Sequence, residues 1–417
     1  MRFLTLTTAL ILTAVTAQAR SYRTEILSAL KHLESSQAKT KGAYEPGQWP
    51  TVVTAILAPS LLGVGRWGKP YPEATIFTTS TIINVLRQIE EDGPEYRNEI
   101  NPLINRAMAG FPAHADPPFY NFYPLRQRNG AWVRGPRNFY LAPYLRGLAN
   151  VPPDADTNSV TYLALRRPVP DKVMAAFARF RDLDRKPHYY DKDLGIINSG
   201  AFMTWLMDEK DPQMPRKFGH PELGQRIPFG TNDVDCVVNA NVLKLLASQG
   251  KTRTPGYEEA CRLVKDSIDR NQLGTCGIYY PSNYQLTVQV AEIGNLGGRC
   301  LQSYEAKVLQ YVLDTQHPNG SWSNSPPNRP DRIHATALAL NALMMLGNPA
   351  NPEHRRKVRG GIEYLLSTSR RDENGNLYWK GQVFFSAVAQ ARFSVVWRSS
   401  SYTTVLAARA LQLAEKY

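Results

Sequence analysis

The stretch from Tyr311 to Leu346, YVLDTQHPNGSWSNSPPNRPDRIHATALALNALMML, restricts the fold more than any other part of the chain. An amphipathic run ends at Gln316, a turn carries Gly320-Ser321-Trp322, and a proline-rich crossing leads into a run with almost no polar face. An amphipathic helix needs one covered side, whereas a helix apolar all round needs cover everywhere. A polar outer helix followed by a buried inner helix is an α-hairpin that cannot stand alone. It must stack on copies of itself.

Related turns occur at Gly42-Ala43-Tyr44, Gly130-Ala131-Trp132 and Gly277-Ile278-Tyr279, with a looser form at Gly375-Asn376-Leu377-Tyr378-Trp379. Glycine suits a helix end that needs positive φ, and the aromatic can fold back onto the helix just ended. Around these turns the periodicity predicts polar outer helices near 21–37, 96–110, 171–183, 256–270, 301–316 and 353–368. Apolar inner helices follow near 73–89, 154–166, 232–248, 282–294, 331–346 and 399–415. Six such pairs close most economically as an all-α (α/α)6 toroid whose inner helices line a central barrel; an open superhelix is the competing arrangement. Strand signals are weak and local. Two long loops, near 111–153 and 184–231, are inserted, and they are rich in proline and aromatics, as in Pro117-Pro118-Phe119-Tyr120-Asn121-Phe122-Tyr123. Loops of this length are cavity covers or packed decoration.

Residues 1–19 read as a signal peptide: Arg2 precedes an apolar stretch from Phe3 to Val15, and Ala17-Gln18-Ala19 is a small-residue cleavage site. The expectation is an exported protein, periplasmic or secreted, with residues 20–417 forming one toroid domain. No later run is long and apolar enough to span a bilayer. A formal net charge of +13 favours anionic partners, either acidic polysaccharide or peripheral contact with an anionic membrane. The basic residues are scattered, however (Arg126, Arg128, Arg134, Arg137; Arg166, Arg167; Arg355, Arg356, Lys357, Arg359), with no basic tail and no nucleic-acid motif. A solvated basic surface is the plainer reading. Cys236, Cys261, Cys276 and Cys300 cluster as one or two disulfides would in an exported chain. A Cys276–Cys300 or Cys261–Cys300 link would staple neighbouring hairpins. With no Cys-x-x-Cys pair and few histidines, no metal is expected, and no cofactor either.

Tyr311-Val312-x-x-x-Gln316-x-x-x-Gly320-x-Trp322 resembles the repeat of the squalene/hopene cyclase and prenyltransferase superfamily. Weaker echoes are Leu33-x-x-x-Gln37-x-x-x-x-Gly42-x-Tyr44 and Gln127-x-x-Gly130-x-Trp132. The resemblance implies a terpenoid cyclase-like toroid in which this motif ties an outer helix to the next turn. Asp154-Ala155-Asp156-Thr157 and Asp233-Val234-Asp235-Cys236 further resemble the Asp-x-Asp-Asp of the triterpene cyclases. There the second aspartate protonates an alkene or epoxide, a role that falls by position on Asp156 and Asp235. In both copies the final aspartate is replaced, by Thr157 or Cys236. Protonating a carbon–carbon double bond needs a strong acid held dry and aromatic faces to stabilise the cation. Protein prenyltransferase activity is not expected. Asp331-Arg332-Ile333-His334 is similar to that branch's histidine helix, but Thr275-Cys276 stands where its Asp-x-Cys belongs.

In a toroid the inner helices point the same way, so their first turns converge. Glu73, Asp154, Asp156, Asp233, Asp235, Asp331 and His334 would gather at that mouth, with Asn239 and Asn241 deeper. Aspartate is also a preferred helix cap, which suits Asp154 and Asp233. The second acid of each pair, Asp156 and Asp235, is harder to explain as a cap, and these two are the expected catalytic residues. Paired carboxylates can divide their roles, because like charges side by side drive one pKa upward. Three functions compete. The first is an exported single-toroid protein that binds a small hydrophobic or isoprenoid-like ligand and acts on it by acid catalysis; it predicts a deep aromatic-lined cavity. The second is a carbohydrate-active (α/α)6 hydrolase or lyase on an acidic glycan, for which His188, Tyr189 and Tyr190 could serve a lyase. The third is a non-catalytic scaffold whose aspartates are caps.

Overall fold

Twelve helices fall where the hydrophobic period places them, alternating between half-covered and fully covered. The computed structural model describes residues 21–55, 69–128, 130–139, 150–187, 189–207, 227, 231–324, 331–387 and 395–417. The expected signal peptide and His188 lie outside the described residues. The outer helices are α1 (Arg23–Ser36), α3 (Arg97–Met108), α5 (Asp171–Arg179), α8 (Tyr257–Asp269), α10 (Glu305–Asp314) and α12 (Pro352–Thr368). The inner ones are α2 (Ile76–Asp92), α4 (Ala155–Leu165), α7 (Cys236–Ser248), α9 (Gln285–Asn295), α11 (Arg332–Leu346) and α13 (Ser400–Ala414); a single extra turn, α6, spans Tyr189–Asp193. Along α7 every residue from Cys236 to Leu243 is buried, and along α11 every one from His334 to Met344. Such helices have no face to give to water. The inner helices pack in chain order around a ring, and α13 returns to α2. The toroid is closed; the open superhelix is not formed.

Closure is reinforced where the chain's two ends meet. Helix α1 packs on α13. An antiparallel sheet joins β1 (Val52–Ala55) and β2 (Tyr71–Pro72) of the first hairpin to β3 (Val383–Ser386) and β4 (Val395–Arg398) of the sixth. Its order is β2-β1-β4-β3, with Val53 opposite Trp397. Val52-Val53-Thr54 and Val383-Phe384-Phe385 are good strand sequences. The pairing of β1 with β4 joins the two ends of the chain, so no local hairpin signal announces it. Phe385 of β3 lies against Phe77, in the first turn of α2, at 5.7 Å between ring centres. The sheet therefore lies over the end of the barrel where the inner helices begin.

The turns that end the outer helices repeat one construction. Trp322 Nε1 donates to the Val312 carbonyl at 2.8 Å, in the last turn of α10. Trp49 does the same to Leu33 at 2.8 Å at the end of α1, and Trp379 to Leu365 at 2.6 Å at the end of α12. Gln316 Nε2 bridges Gly320 O and Lys357 O of the next outer helix, and Gln37 Nε2 likewise bridges Gly47 O and Leu103 O. The first hairpin thus uses Gly47-Gln48-Trp49 and not the expected Gly42-Ala43-Tyr44, five residues earlier. Gly47 and Gly320 both have φ near +80°, and a Cβ on either would sit about 2 Å from a carbonyl of the neighbouring outer helix. Gly130-Ala131-Trp132 also departs from the expectation. It turns a two-stranded ribbon, Arg126–Arg128 with Ala131–Val133, and Trp132 is 47% exposed.

The cysteines form two disulfides, Cys236–Cys276 and Cys261–Cys300. The second is one of the two expected links. The first pins the Gly277–Tyr280 turn against the start of α7.

Candidate active site at the N-terminal end of the barrel

The two Asp-x-Asp motifs look alike in sequence but enter their helices two residues out of step. Asp154 is the N-cap of α4, its Oδ1 accepting from Thr157 N at 2.5 Å. In the second motif the cap is Asp235, whose Oδ1 accepts from Val237 N at 2.7 Å and Val238 N at 3.0 Å. Asp235 Oδ2 accepts from Tyr279 N at 3.0 Å. Both of its oxygens thus hold backbone amides, which is the work of a structural carboxylate. Asp233 is no cap: it accepts from Thr204 Oγ1 at 2.5 Å and Tyr279 OH at 2.7 Å. Asp156 lies inside the first turn of α4 and faces the barrel.

Asp156 heads a hydrogen-bonded cluster among the inner helices. Asn241 Nδ2 donates to its Oδ1 at 2.6 Å, Tyr280 OH bonds to its Oδ2, and Gln289 Nε2 donates to Asn241 Oδ1 at 2.8 Å. Burial pushes the Asp156 carboxyl up to about 8, the Asp154 charge pushing the same way, while the bonds from Tyr280 and Asn241 pull down. Burial thus favours the protonated form of this group, which is 4% exposed. Burial also raises Asp154 to about 6, and raises Asp233 to about 7 with Asp191 adding to it.

Around the acids stands a wall of rings. Phe385 is its hub, with ring centres of Phe122 and Tyr279 at 5.5 Å, Tyr280 and Phe77 at 5.7 Å, and Trp397 at 5.3 Å. Phe385 keeps partial exposure. Beyond it Phe384 packs edge-on to Tyr402, which contacts His334. Two ring nitrogens here, His334 Nε2 and Trp397 Nε1, are buried without a hydrogen-bond partner. Such groups cost roughly 1–3 kcal/mol each when left unmade. Deeper along the axis a cavity of about 30 Å³, lined by Asn241, Lys244, Tyr280, Gln285, Glu292 and Tyr402 among others, is room for one water.

The remaining expected mouth residues have other partners. Glu73 precedes α2 and clamps a loop, accepting from Arg137 N at 2.7 Å, Asn138 N at 2.8 Å and Phe139 N at 2.9 Å. Asn239 exchanges bonds with the Phe202 backbone at 2.9 Å in each direction. Asp331 Oδ2 accepts from Val383 N at 3.0 Å, holding β3 to α11. His334 bonds Thr403 at 3.0 Å through Nδ1, and burial lowers its pKa to about 3. Of the expected residues, Asp156 and Asn241 come together, and Asp233 joins them through the Tyr279-Tyr280 turn. Tyr279 and Tyr280 are the residues the sequence reading missed. Their signal was present, as a Tyr-Tyr pair following a cysteine whose partner opens an inner helix. Segment Ala201–Met207, from the second long loop, bridges α4 and α7 through Ala155 N to Thr204 O at 2.8 Å and Thr204 N to Asp233 O at 2.9 Å. That loop is therefore part of the site's wall.

This architecture is a closed α/α toroid of the kind seen in type II terpene cyclases, and solved structures share it. The type II terpene cyclase MstE from Scytonema is 15% identical, with 94% of this chain and 97% of that one covered and a TM-score of 0.55. A protein from Actinoplanes is 14% identical over 94% and 99% of the two chains, TM-score 0.55. A possible member of the GH105 family from Salmonella enterica is 12% identical over 98% and 99%, TM-score 0.52. At such identities the likeness concerns fold alone. No protein-family model and no curated protein matches the chain.

Proposed function

We propose that this protein is exported, binds a small hydrophobic, isoprenoid-like molecule beneath the β1–β4 sheet, and protonates it with Asp156. One observation carries the reading: a carboxyl group inside the barrel, bonded to Asn241 and Tyr280 and walled by aromatic rings, which burial shifts toward its protonated form. In this reading the Asp156 proton moves to one alkene carbon, the π electrons form the new C–H bond, and a carbocation remains on the neighbouring carbon. The faces of Phe385, Phe77 and Tyr280 stabilise that cation. Asn241 and Tyr280 donate to the carboxylate left behind, lowering the cost of ionising it in a dry site. In this reading the ligand lies above Asp156, toward the sheet, because the cavity beside Asn241 and Tyr280, at about 30 Å³, takes no more than a water. MstE has been solved with geranylgeranyl dihydroxybenzoate bound, a ligand of this class. Two disulfides, with no described helix long and apolar enough to cross a membrane, support export.

The test is native mass spectrometry of the purified protein with a panel of linear polyprenyl aryl and alcohol probes, followed by product analysis. Wild type is expected to bind and convert a probe; Asp156→Asn is expected to bind it and leave it unchanged. Absence of any bound polyprene, or conversion by Asp156→Asn at the wild-type rate, would overturn the reading. A glycosidase reading draws on Asp156 and Asp233, two raised acids each bonded to a tyrosine hydroxyl, and release of reducing ends from an acidic oligosaccharide would favour it. If neither probe class binds and aspartate substitutions alter only thermal stability, the toroid is a scaffold.

A further inference from the structure

The opposite end of the barrel is built for a different task. There the C-terminal halves of α2, α4 and α7 enclose an open basin of about 570 Å³. Its cationic lining is Arg87, Arg166, Arg167, Lys244 and Lys251. In sequence these are among the scattered basic residues; folding collects them. Arg166 pairs with Glu91, and Lys244 with Glu292 of α9. Helix C-termini carry roughly half a negative charge each, and the basin spends part of its charge on them: Arg87 Nε donates to the Ala164 carbonyl at 3.1 Å. Among the described residues Arg87, Arg167 and Lys251 form no ion pair with a carboxylate, and three such charges against three helix ends leave the basin positive. Arg87 is half-buried, and burial lowers its pKa, with the charge of Arg166 acting the same way and Glu90 and Glu91 acting against it. Like charges pressed together beside an open space are relieved by an oxyanion between them.

We propose that this basin binds a small molecule bearing a phosphate or carboxylate group. The volume is in the range of small-molecule sites, larger than a bare oxyanion requires. Leu163, Pro168 and the exposed Leu296 supply an apolar wall for the organic part. Arginine forks grip such groups in two-point fashion. The site is distinct from Asp156 and does not depend on the chemistry proposed there.

Isothermal titration of the whole protein with inorganic pyrophosphate, and separately with digalacturonate, tests the assignment. One-site binding with a submillimolar Kd is expected, weakening as salt rises. Arg87→Leu combined with Arg167→Leu should weaken it at least tenfold with the circular dichroism spectrum unchanged, while Asp156→Asn binds as wild type. Binding of pyrophosphate alone identifies a phosphate ligand; binding of digalacturonate alone identifies a glycan carboxylate. Should the double variant fail to fold, Arg167→Glu alone, on the exposed rim, must produce the loss. No saturable binding of either probe, or undiminished binding by the folded variants, overturns the proposal.

Discussion

Replacing Asp156 by asparagine should make the protein more stable, and by an amount that grows with pH. Asparagine approximates the neutral acid: its Oδ1 can still accept from Asn241, while its amide meets the Tyr280 hydroxyl, which then turns from donor to acceptor. In the unfolded chain the carboxyl ionises near 3.9; in the folded protein burial holds it at about 8. A pKa raised on folding gives stability that is complete below the unfolded value and is lost as pH rises through the folded value. Between about pH 4 and pH 8 wild type therefore loses up to about 1.4 kcal/mol per pH unit from this group, which the variant does not lose. The ceiling is on the order of 5 kcal/mol; relaxation around the charge leaves about 2–3 kcal/mol at pH 8 as the working expectation. Unfolding entropies of roughly 2 cal/mol/K per residue convert that to about 3 °C for a chain this long. The assay is differential scanning fluorimetry of both proteins from pH 4.5 to 9. The difference in Tm should be near zero at the acid end and open to about 3 °C at pH 8. A flat difference, or a variant less stable at pH 8 than at pH 4.5 relative to wild type, would mean that Asp156 is ionised when folded. The proposed acid would then be lost with it.

Asp235→Ala should do the reverse, costing about 3 kcal/mol at pH 7 in chemical denaturation, because the amides of Val237, Val238 and Tyr279 lose their acceptor. Gly320→Ala should destabilise by about 3 kcal/mol or more, since its Cβ would lie 2.2 Å from Gly360 O, whereas Gly375→Ala, also at positive φ but in open space, should cost only about 1 kcal/mol. Comparable urea midpoints for these two variants would contradict the packing described at the α10 turn. Removing the Cys261–Cys300 link by a double alanine substitution opens a loop of sequence separation 39 and should cost about 4 kcal/mol, read as a fall in Tm that reducing agent then enlarges only through Cys236–Cys276.

Sequence alone determined the alternation of helices; its closure into a ring rests on the contact of α13 with α2. Burial of six apolar helices requires six polar partners, and both helix types carry their period in the chain, so twelve helices and their order could be read to within a few residues. It also singled out Asp156 and Asn241, which the fold brings within hydrogen-bond distance, because acids and amides on apolar helices stand out against their surroundings. Capping was legible only as a tendency. Asp154-Ala155-Asp156 and Asp233-Val234-Asp235 share a pattern, yet one helix starts after the first aspartate and the other after the second. That two-residue offset depends on where segment Ala201–Met207 and the Tyr279 turn pack, and neither is local. The same holds for the β1–β4 sheet, whose strands come from opposite ends of the chain. Tertiary structure alone decided that Tyr280 bonds Asp156, that Phe385 sits at the centre of the aromatic wall, and that scattered arginines line one basin. Periodicity encodes which face of a helix is buried. Contacts between distant segments decide what that face meets, and the acidity of Asp156 follows from those contacts.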